Sequence, residues 1–306
     1  MVIIAGPTAV GKTALSLELA ARIGGEIVAA DSMQAYRHMD IGTAKIKPAE
    51  MRGIPHHLLD VALPTEEYNV AVFQKLAKAC VNDIAGRGCV PIVVGGTGFY
   101  IQALLYDIDF ATNDGDDSYR RELEEKDSPV LWRMLEECDA EAAAQIHAHN
   151  KKRIIRALEF YHQMGVPISG HNEAERQRPS PYSFAYFVLT DERAKIYAQI
   201  ERRVDVMMAA GLEAEVQGLV EMGVKRDSIA MQGLGYKEML AYLDGETSLE
   251  EAVALIKRNT RHFAKRQLTW FRRERDTIWL DKGKFANDRE ICDEIIRILH
   301  EKSIAQ

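Results

Sequence analysis

The residues Gly6-Pro7-Thr8-Ala9-Val10-Gly11-Lys12-Thr13 match the spacing G-x-x-x-x-G-K-[ST], the pattern of a loop that wraps phosphates. Its glycines let backbone N–H groups turn inward around phosphate oxygens, and a helix starting at the loop's end adds favourable partial charge. Lys12 is expected to pair with a terminal phosphate. The Thr13 hydroxyl is expected to complete a Mg²⁺ shell, the one metal role read from the chain. The pattern points to a diphosphate without saying which. Cleavage of ATP or GTP calls for a second acidic residue on a neighbouring strand, whereas the strand-like run Val90–Val94 ends in Gly95-Gly96. That weakens an NTPase reading and leaves it open.

Three further groups could do chemistry. Asp31 follows the strand-like run Glu26–Ala30, and ligands of a doubly wound sheet gather at the carboxyl ends of its strands. Asp31 can serve there as a base, as a cap or as a metal-water ligand. Thr97 stands in the glycine block Gly95-Gly96-Thr97-Gly98-Phe99-Tyr100, where turn formation is the plain alternative. From Leu255 to Arg275 there are eight Lys/Arg and one Glu, whereas Asp114–Glu141 holds eleven acidic residues and four basic ones. A net charge of −7 does not announce a polyanion binder, but a local basic stripe can dock phosphates. It can equally be a solvated helix face.

These residues need a scaffold, and the apolar pattern describes one. Val2–Ala5 reads as a short strand, Ala14–Ile23 as a helix and Glu26–Ala30 as a second strand. Asn69 reads as an N-cap, behind which Val72, Phe73, Leu76, Cys80 and Ile84 recur at helical spacing until Gly86 and Gly88. Strands alternating with helices predict an α/β fold, a parallel sheet covered on both faces. After Phe110 the chain reads as polar helices, with little strand signal until Tyr186–Leu189. Arg153, Ile154, Ile155, Ala157, Leu158 and Tyr161 fit an amphipathic helix, and Arg178-Pro179-Ser180-Pro181 reads as a return linker. Residues 112–183 are therefore expected to form a helical insertion in a core of residues 1–111 and 184–306. From Asp191 onward the reading is helical, with Gly211, Gly223 and Gly245 as stops.

The bulk numbers narrow the class. At 306 residues, 47% hydrophobic and 28% charged, the chain reads as an ordinary soluble protein. No apolar run approaches the ~20 residues of a membrane span and no signal peptide precedes the first strand, so the cytoplasm is expected. Cys80, Cys89, Cys138 and Cys292 are scattered, which argues against a disulfide framework and a structural zinc. His147 and His149 lack metal spacing with any partner and read as surface residues.

Six segments in order carry a resemblance. They are Gly6–Thr13, Asp31-Ser32-Met33-Gln34-Ala35-Tyr36, Gly95–Tyr100, Lys152–Glu159, Gln232-Gly233-Leu234-Gly235-Tyr236-Lys237 and Lys265-Arg266-Gln267-Leu268-Thr269-Trp270-Phe271-Arg272. Together they resemble the signature blocks of bacterial tRNA dimethylallyltransferases, the IPP transferase family. Ala35 and Phe99 stand where that family more often has Val and Leu, and Gln199 stands where Arg is common, so no role is assigned to Gln199. Only Cys292 lies in the C-terminal region, so the likeness is to the compact bacterial form without the eukaryotic zinc finger.

The resemblance implies a P-loop NTPase-like core and a helical insertion that contacts tRNA. It implies transfer of a dimethylallyl group from dimethylallyl diphosphate to the N6 amine of adenosine 37, beside the anticodon, in tRNAs reading codons that begin with U. Asp31 is then the general base, and Arg203 joins Lys12 and Mg²⁺ on the diphosphate. Thr97 stands at the mouth of the reaction channel. The tRNA contacts carried over are Asp31, Ser32, Met33, Gln34, Thr97, Arg120, Lys152, Arg153, Ile154, Ile155, Arg156, Gln232, Gly233, Leu234, Gly235, Tyr236, Lys237, Lys265, Arg266, Gln267, Leu268, Thr269, Trp270, Phe271 and Arg272. A monomer that binds the anticodon stem-loop and no membrane is expected.

The chemistry fits these residue types. An adenine amine is a poor nucleophile because its lone pair is delocalised, so a base that takes its proton helps C–N bond formation. Charge grows on the departing diphosphate, and cations aimed at it stabilise the transition state more than the ground state. A target base must be flipped out of its loop, and Trp270, Phe271 and Tyr236 offer stacking faces, with core packing as the plain alternative for Trp270 and Phe271. Two other readings share the phosphate loop. A prenyltransferase acting on free adenine nucleotides would not need the insertion or the basic block Lys265–Arg272. A small-molecule kinase would use the insertion as a lid and leaves Gly95–Tyr100 unexplained.

Overall fold

The computed structural model describes residues 1–110 and 118–304, with Arg176 and Gln177 described by backbone alone. The boundary expected between residues 111 and 112, and the start of the acidic run at Asp114, lie outside the described residues. The chain forms two compact units, Met1–Leu105 with Tyr182–Gln306, and Tyr106–Pro181.

The first unit is a mixed α/β layer structure. Its strands are β1 (Val2–Ala5), β2 (Gly25–Ala30), β3 (His56–His57), β4 (Val90–Gly95), β5 (Ala185–Thr190) and β6 (Thr277–Asp281). All pairs are parallel, in the order β3-β2-β4-β1-β5-β6. The four residues of β1 are fully buried between β4 and β5, as expected for a strand covered on both faces. Helix α1 (Lys12–Ile23) leaves β1 through the phosphate loop, and the C-terminal helix (Asp288–Glu301) lies beside it on one face. There Leu15, Leu19, Ile291, Ile295 and Leu299 pack on Val2, Ile4, Ile27 and Phe187. Helix α2 (Val70–Gly86) begins at Asn69, whose side chain accepts from the N–H groups of Ala71 and Val72 at 3.0 and 3.1 Å. Its buried Phe73, Ala77, Val81 and Ile84 pack toward β2 and β4. Helix α3 (Gly98–Leu105) follows β4.

The second unit holds α4 (Ser118–Glu124), α5 (Ser128–Cys138), α6 (Ala140–Gln145), α7 (Lys151–Met164) and α8 (Ile168–Gln177). They close on their own apolar cluster of Leu123, Leu131, Leu135, Ile154, Ile155 and Leu158. The first unit resumes with β5 and continues through α9 (Arg193–Ala209), α10 (Leu212–Glu221), α11 (Tyr236–Leu243) and α12 (Leu249–Phe271) before β6 and α13 (Asp288–Glu301).

Two strands depart from the sequence reading. β6 interrupts the stretch read as wholly helical after Asp191, and β3 is only two residues long. Both are sheet edges, where half-buried side chains leave a weak apolar signal. Among the described residues, no helix is long and apolar enough to cross a membrane.

Candidate active site

The carboxyl ends of β1, β2 and β4 meet at one edge of the sheet, and each releases a loop there. The loop after β1 folds back on its own lysine. Lys12 Nζ donates to the carbonyls of Gly6 and Pro7 at 2.9 and 2.8 Å. Burial pushes the Lys12 ammonium down to about 7; nearby Asp31 opposes this and Arg203 adds to it. Such a cation gains strongly from an arriving anion. Arg203, in α9, is also lowered by burial and supported by Asp31, and its Nη2 donates to the Thr43 carbonyl at 3.1 Å. Asp31, Lys12 and Arg203 therefore lie within electrostatic reach of one another, although 172 residues separate Asp31 from Arg203 in sequence (203 minus 31).

Asp31 organises its own turn. Its Oδ1 accepts from the N–H groups of Met33 and Gln34 at 3.0 and 3.4 Å. One carboxylate oxygen thus closes a turn; no helix begins here for Asp31 to cap. Thr97 joins the glycine block to this turn: its Oγ1 accepts from Ser32 N–H at 3.3 Å, and its own N–H donates to the Ala30 carbonyl at 3.3 Å.

Gln267 ties α12 to both loops. Its Oε1 accepts from Thr8 N–H at 2.9 Å and its Nε2 donates to the Gly96 carbonyl at 2.9 Å. A Cβ at Gly96 would stand 2.2 Å from that Nε2, so only glycine leaves room for the brace. Gln267 is buried, with both ends of its amide engaged by the two loops. Phe271 is also fully buried, in the core. Trp270 is half-buried, lies over Gly98 and meets Phe99 edge-on with ring centroids 6.1 Å apart.

The outer face of α12 behaves differently. His262, Lys265, Arg266, Thr269, Trp270 and Arg273 line an open hollow of about 420 Å³. Lys265, Arg266, Thr269 and Arg272 are exposed, and Leu268 is partly buried. His262 and Arg273 were outside the expected block. Helical spacing of three and four from Lys265, Arg266, Thr269 and Trp270 is the signal that extends the face to them.

The segment Gln232–Lys237 splits likewise. Gln232 and Lys237 are exposed, Leu234 is partly buried, and Gly233 and Gly235 are buried, Gly233 lying against Met33. Tyr236 is buried and its hydroxyl donates to Glu215 Oε1 at 2.6 Å, which corrects its reading as a stacking face.

In the second unit, Asn150 caps α7 by accepting from Arg153 N–H at 3.3 Å. Lys152 and Arg153 are exposed and Arg156 partly so. Ile154 and Ile155 are packed in that unit's core, so their side chains are removed from the expected tRNA contacts. Arg120 pairs with Glu159 at 3.2 Å and Glu124 at 3.1 Å. His147 and His149 are exposed.

Among the described residues, no group of three or more His, Cys, Asp or Glu is placed to cage a metal. Thr13 is exposed in the first turn of α1. A single hydroxyl beside a phosphate loop fits Mg²⁺, which takes one or two protein oxygens and completes its shell with phosphate and water.

The IPP transferase family model matches residues 34–274. The chain is 56% identical over 308 residues to the tRNA dimethylallyltransferase of Lachnoclostridium phytofermentans, covering 99% of this chain and 98% of that one. It is 49% identical over 300 residues to the enzyme of that name from Carboxydothermus hydrogenoformans, covering 97% and 96%. Its fold is similar to the crystal structure of the full-length tRNA isopentenylpyrophosphate transferase of Bacillus halodurans, with TM-score 0.74, 44% identity and coverage of 99% and 97%. It is also similar to a eukaryotic dimethylallyltransferase acting on tRNA, with TM-score 0.82 and 29% identity, covering 97% of this chain and 79% of that one.

Proposed function

Because this chain belongs to the IPP transferase family, we propose that it is a tRNA dimethylallyltransferase, using dimethylallyl diphosphate as donor and the N6 amine of adenosine 37 as acceptor. The acceptor tRNAs are those reading codons that begin with U. The observation that carries the reading is the convergence of one carboxylate, Asp31, and two partly buried cations held by backbone carbonyls, Lys12 and Arg203, beside a phosphate loop. The reaction needs one base and a cationic seat for a leaving diphosphate, and this edge of the sheet supplies both.

In the transfer step a bond forms between N6 and the allylic carbon as the bond from that carbon to the diphosphate oxygen breaks. The N6 proton passes to Asp31, and the bonding electrons leave with the diphosphate. Lys12 and Arg203 hold the growing negative charge from positions that backbone carbonyls already fix. Thr97 keeps the Asp31 turn against the glycine block through Ser32 N–H. Mg²⁺, held by Thr13 and the diphosphate, would neutralise further charge on the leaving group.

Lys265 and Arg266 on α12, Arg272 and Arg273 just after it, with Gln232 and Lys237, supply docking contacts for the anticodon stem-loop, and Trp270 a partial stacking face. Lys152, Arg153 and Arg156 do the same from the second unit. The protein acts in the cytoplasm as a monomer.

The test incubates the purified chain with Mg²⁺, radiolabelled dimethylallyl diphosphate and either unmodified tRNA or AMP. Label in tRNA alone is expected. Label in AMP alone would move the assignment to a nucleotide prenyltransferase, and label in neither would sink prenyl transfer.

A further inference from the structure

Glu215 belongs to none of the motifs above. It sits in the first turn of α10, and its carboxylate is fully engaged. Oε2 accepts from the backbone N–H groups of Asp40 and Ile41 at 2.8 and 2.7 Å. Oε1 accepts from Gly42 N–H at 2.9 Å and from the Tyr236 hydroxyl at 2.6 Å. A charged acceptor shared by four donors makes a strong and stiff joint. Burial, then the Glu215 charge, pushes the Tyr236 hydroxyl well above its usual range, so it remains the donor. The loop and Tyr236 are in close contact: a Cβ on Gly42 would stand 2.6 Å from the Tyr236 ring.

The next residue of that loop is Thr43. Its hydroxyl donates to the Met39 carbonyl at 2.6 Å, and its carbonyl accepts from Arg203 Nη2 at 3.1 Å and from Gln34 Nε2 at 3.1 Å. Glu215 therefore fixes the segment whose last carbonyl aims the Arg203 guanidinium. The same carbonyl also steadies the turn that carries Asp31.

We infer that Glu215 is a positioning residue for the diphosphate site, acting on the leaving group through the loop Asp40–Thr43 and Arg203. The inference rests on Arg203 facing the leaving diphosphate, as proposed above. A glutamine cannot replace it. Whichever way its amide is turned, the NH₂ group faces at least one backbone N–H, and a donor meets a donor.

The test is a double-mutant cycle read by calorimetric titration of inorganic pyrophosphate with Mg²⁺ into the purified 306-residue chain. Arg203→Ala should weaken binding by about 10- to 100-fold, the size of a charge-assisted hydrogen bond lost. Glu215→Gln should weaken it by about 5- to 20-fold, and by less than about 2-fold when Arg203 is already alanine. An equal loss from Glu215→Gln with and without Arg203 would overturn the inference, because the effect would then not pass through the arginine. So would unchanged affinity in either single variant. Should Glu215→Gln fail to fold, Tyr236→Phe removes one of the four donors; a loss of about 3-fold that vanishes without Arg203 is expected, and a persistent or absent loss overturns the inference. Pyrophosphate binding needs neither tRNA nor prenyl donor. A failed transfer assay and a failed cycle are therefore separate results.

Discussion

The loop edge of the sheet and the outer face of α12 both carry cations, but they hold them in opposite ways. At the loop edge, Lys12 and Arg203 are partly buried and held by backbone carbonyls. On α12 and at its C-cap, Lys265, Arg266 and Arg272 stand in solvent. Prearranged charge stabilises a transition state because little has to reorganise when the reaction occurs. Exposed charge attracts a polyanion at long range and yields to salt. One helix serves both regimes: Gln267 faces inward to the loops, while Lys265 and Arg266, within two positions of it, face outward.

The largest expected effect breaks the loop edge chemically. Asp31→Ala should lower single-turnover prenyl transfer by ~10²–10⁴ with tRNA affinity largely kept. A near-normal rate would remove Asp31 from the base role.

Gln267→Leu comes next and tests the inward side of α12. It leaves Thr8 N–H and the Gly96 carbonyl without their partner, at about 1–3 kcal/mol each. The expected result is a fall of about 10- to 100-fold in kcat/KM for dimethylallyl diphosphate with tRNA affinity unchanged. Weaker tRNA binding at normal diphosphate affinity would return Gln267 to the RNA face.

Lys265→Ala and Arg272→Ala test the outward side. Each should weaken tRNA binding several-fold and reduce the slope of log affinity against log salt by about one, leaving diphosphate affinity unchanged. A salt slope equal to that of the wild type would place these side chains off the RNA.

The smallest effect is a fraction of a proton. The Lys12 ammonium titrates near 7 in the unliganded fold, against an ordinary value of 10.5. Between those values the unfolded chain binds more protons at this site, so Lys12 contributes stability that rises from pH 7 toward 10.5 and imposes its full penalty below 7. A bound anion raises the Lys12 value again. Pyrophosphate binding near pH 8.5 should therefore take up proton, seen as a buffer-dependent binding enthalpy that shrinks in Lys12→Met. Equal uptake in the two proteins would mean that Lys12 stays charged throughout.

Much of this was legible along the chain. The phosphate loop, the strands β1, β2 and β4 and the Asn69 cap are contiguous patterns, in which neighbouring residues set backbone geometry and hydrogen bonding. The basic block at the end of α12 was legible as composition, and Asp31 as a carboxylate at a strand end.

The direction in which each side chain faces was legible only in part: helical spacing put Ile154 and Ile155 on an apolar stripe, but nothing local did the same for Gln267 or Tyr236. Gln267, Tyr236, Phe271, Ile154 and Ile155 sit in blocks that resemble RNA-contacting motifs, yet all five turn inward. His262 and Arg273 join the exposed face from outside the block. Glu215 gave no signal at all, because its partners at Asp40, Ile41 and Gly42 lie 173 to 175 residues away. By itself the sequence determined which chemical groups the chain carries and which local turns they ride on. Only the tertiary structure decided which of them meet, since Gln267 reaches Thr8 across 259 residues and no local pattern encodes a contact that packing alone creates.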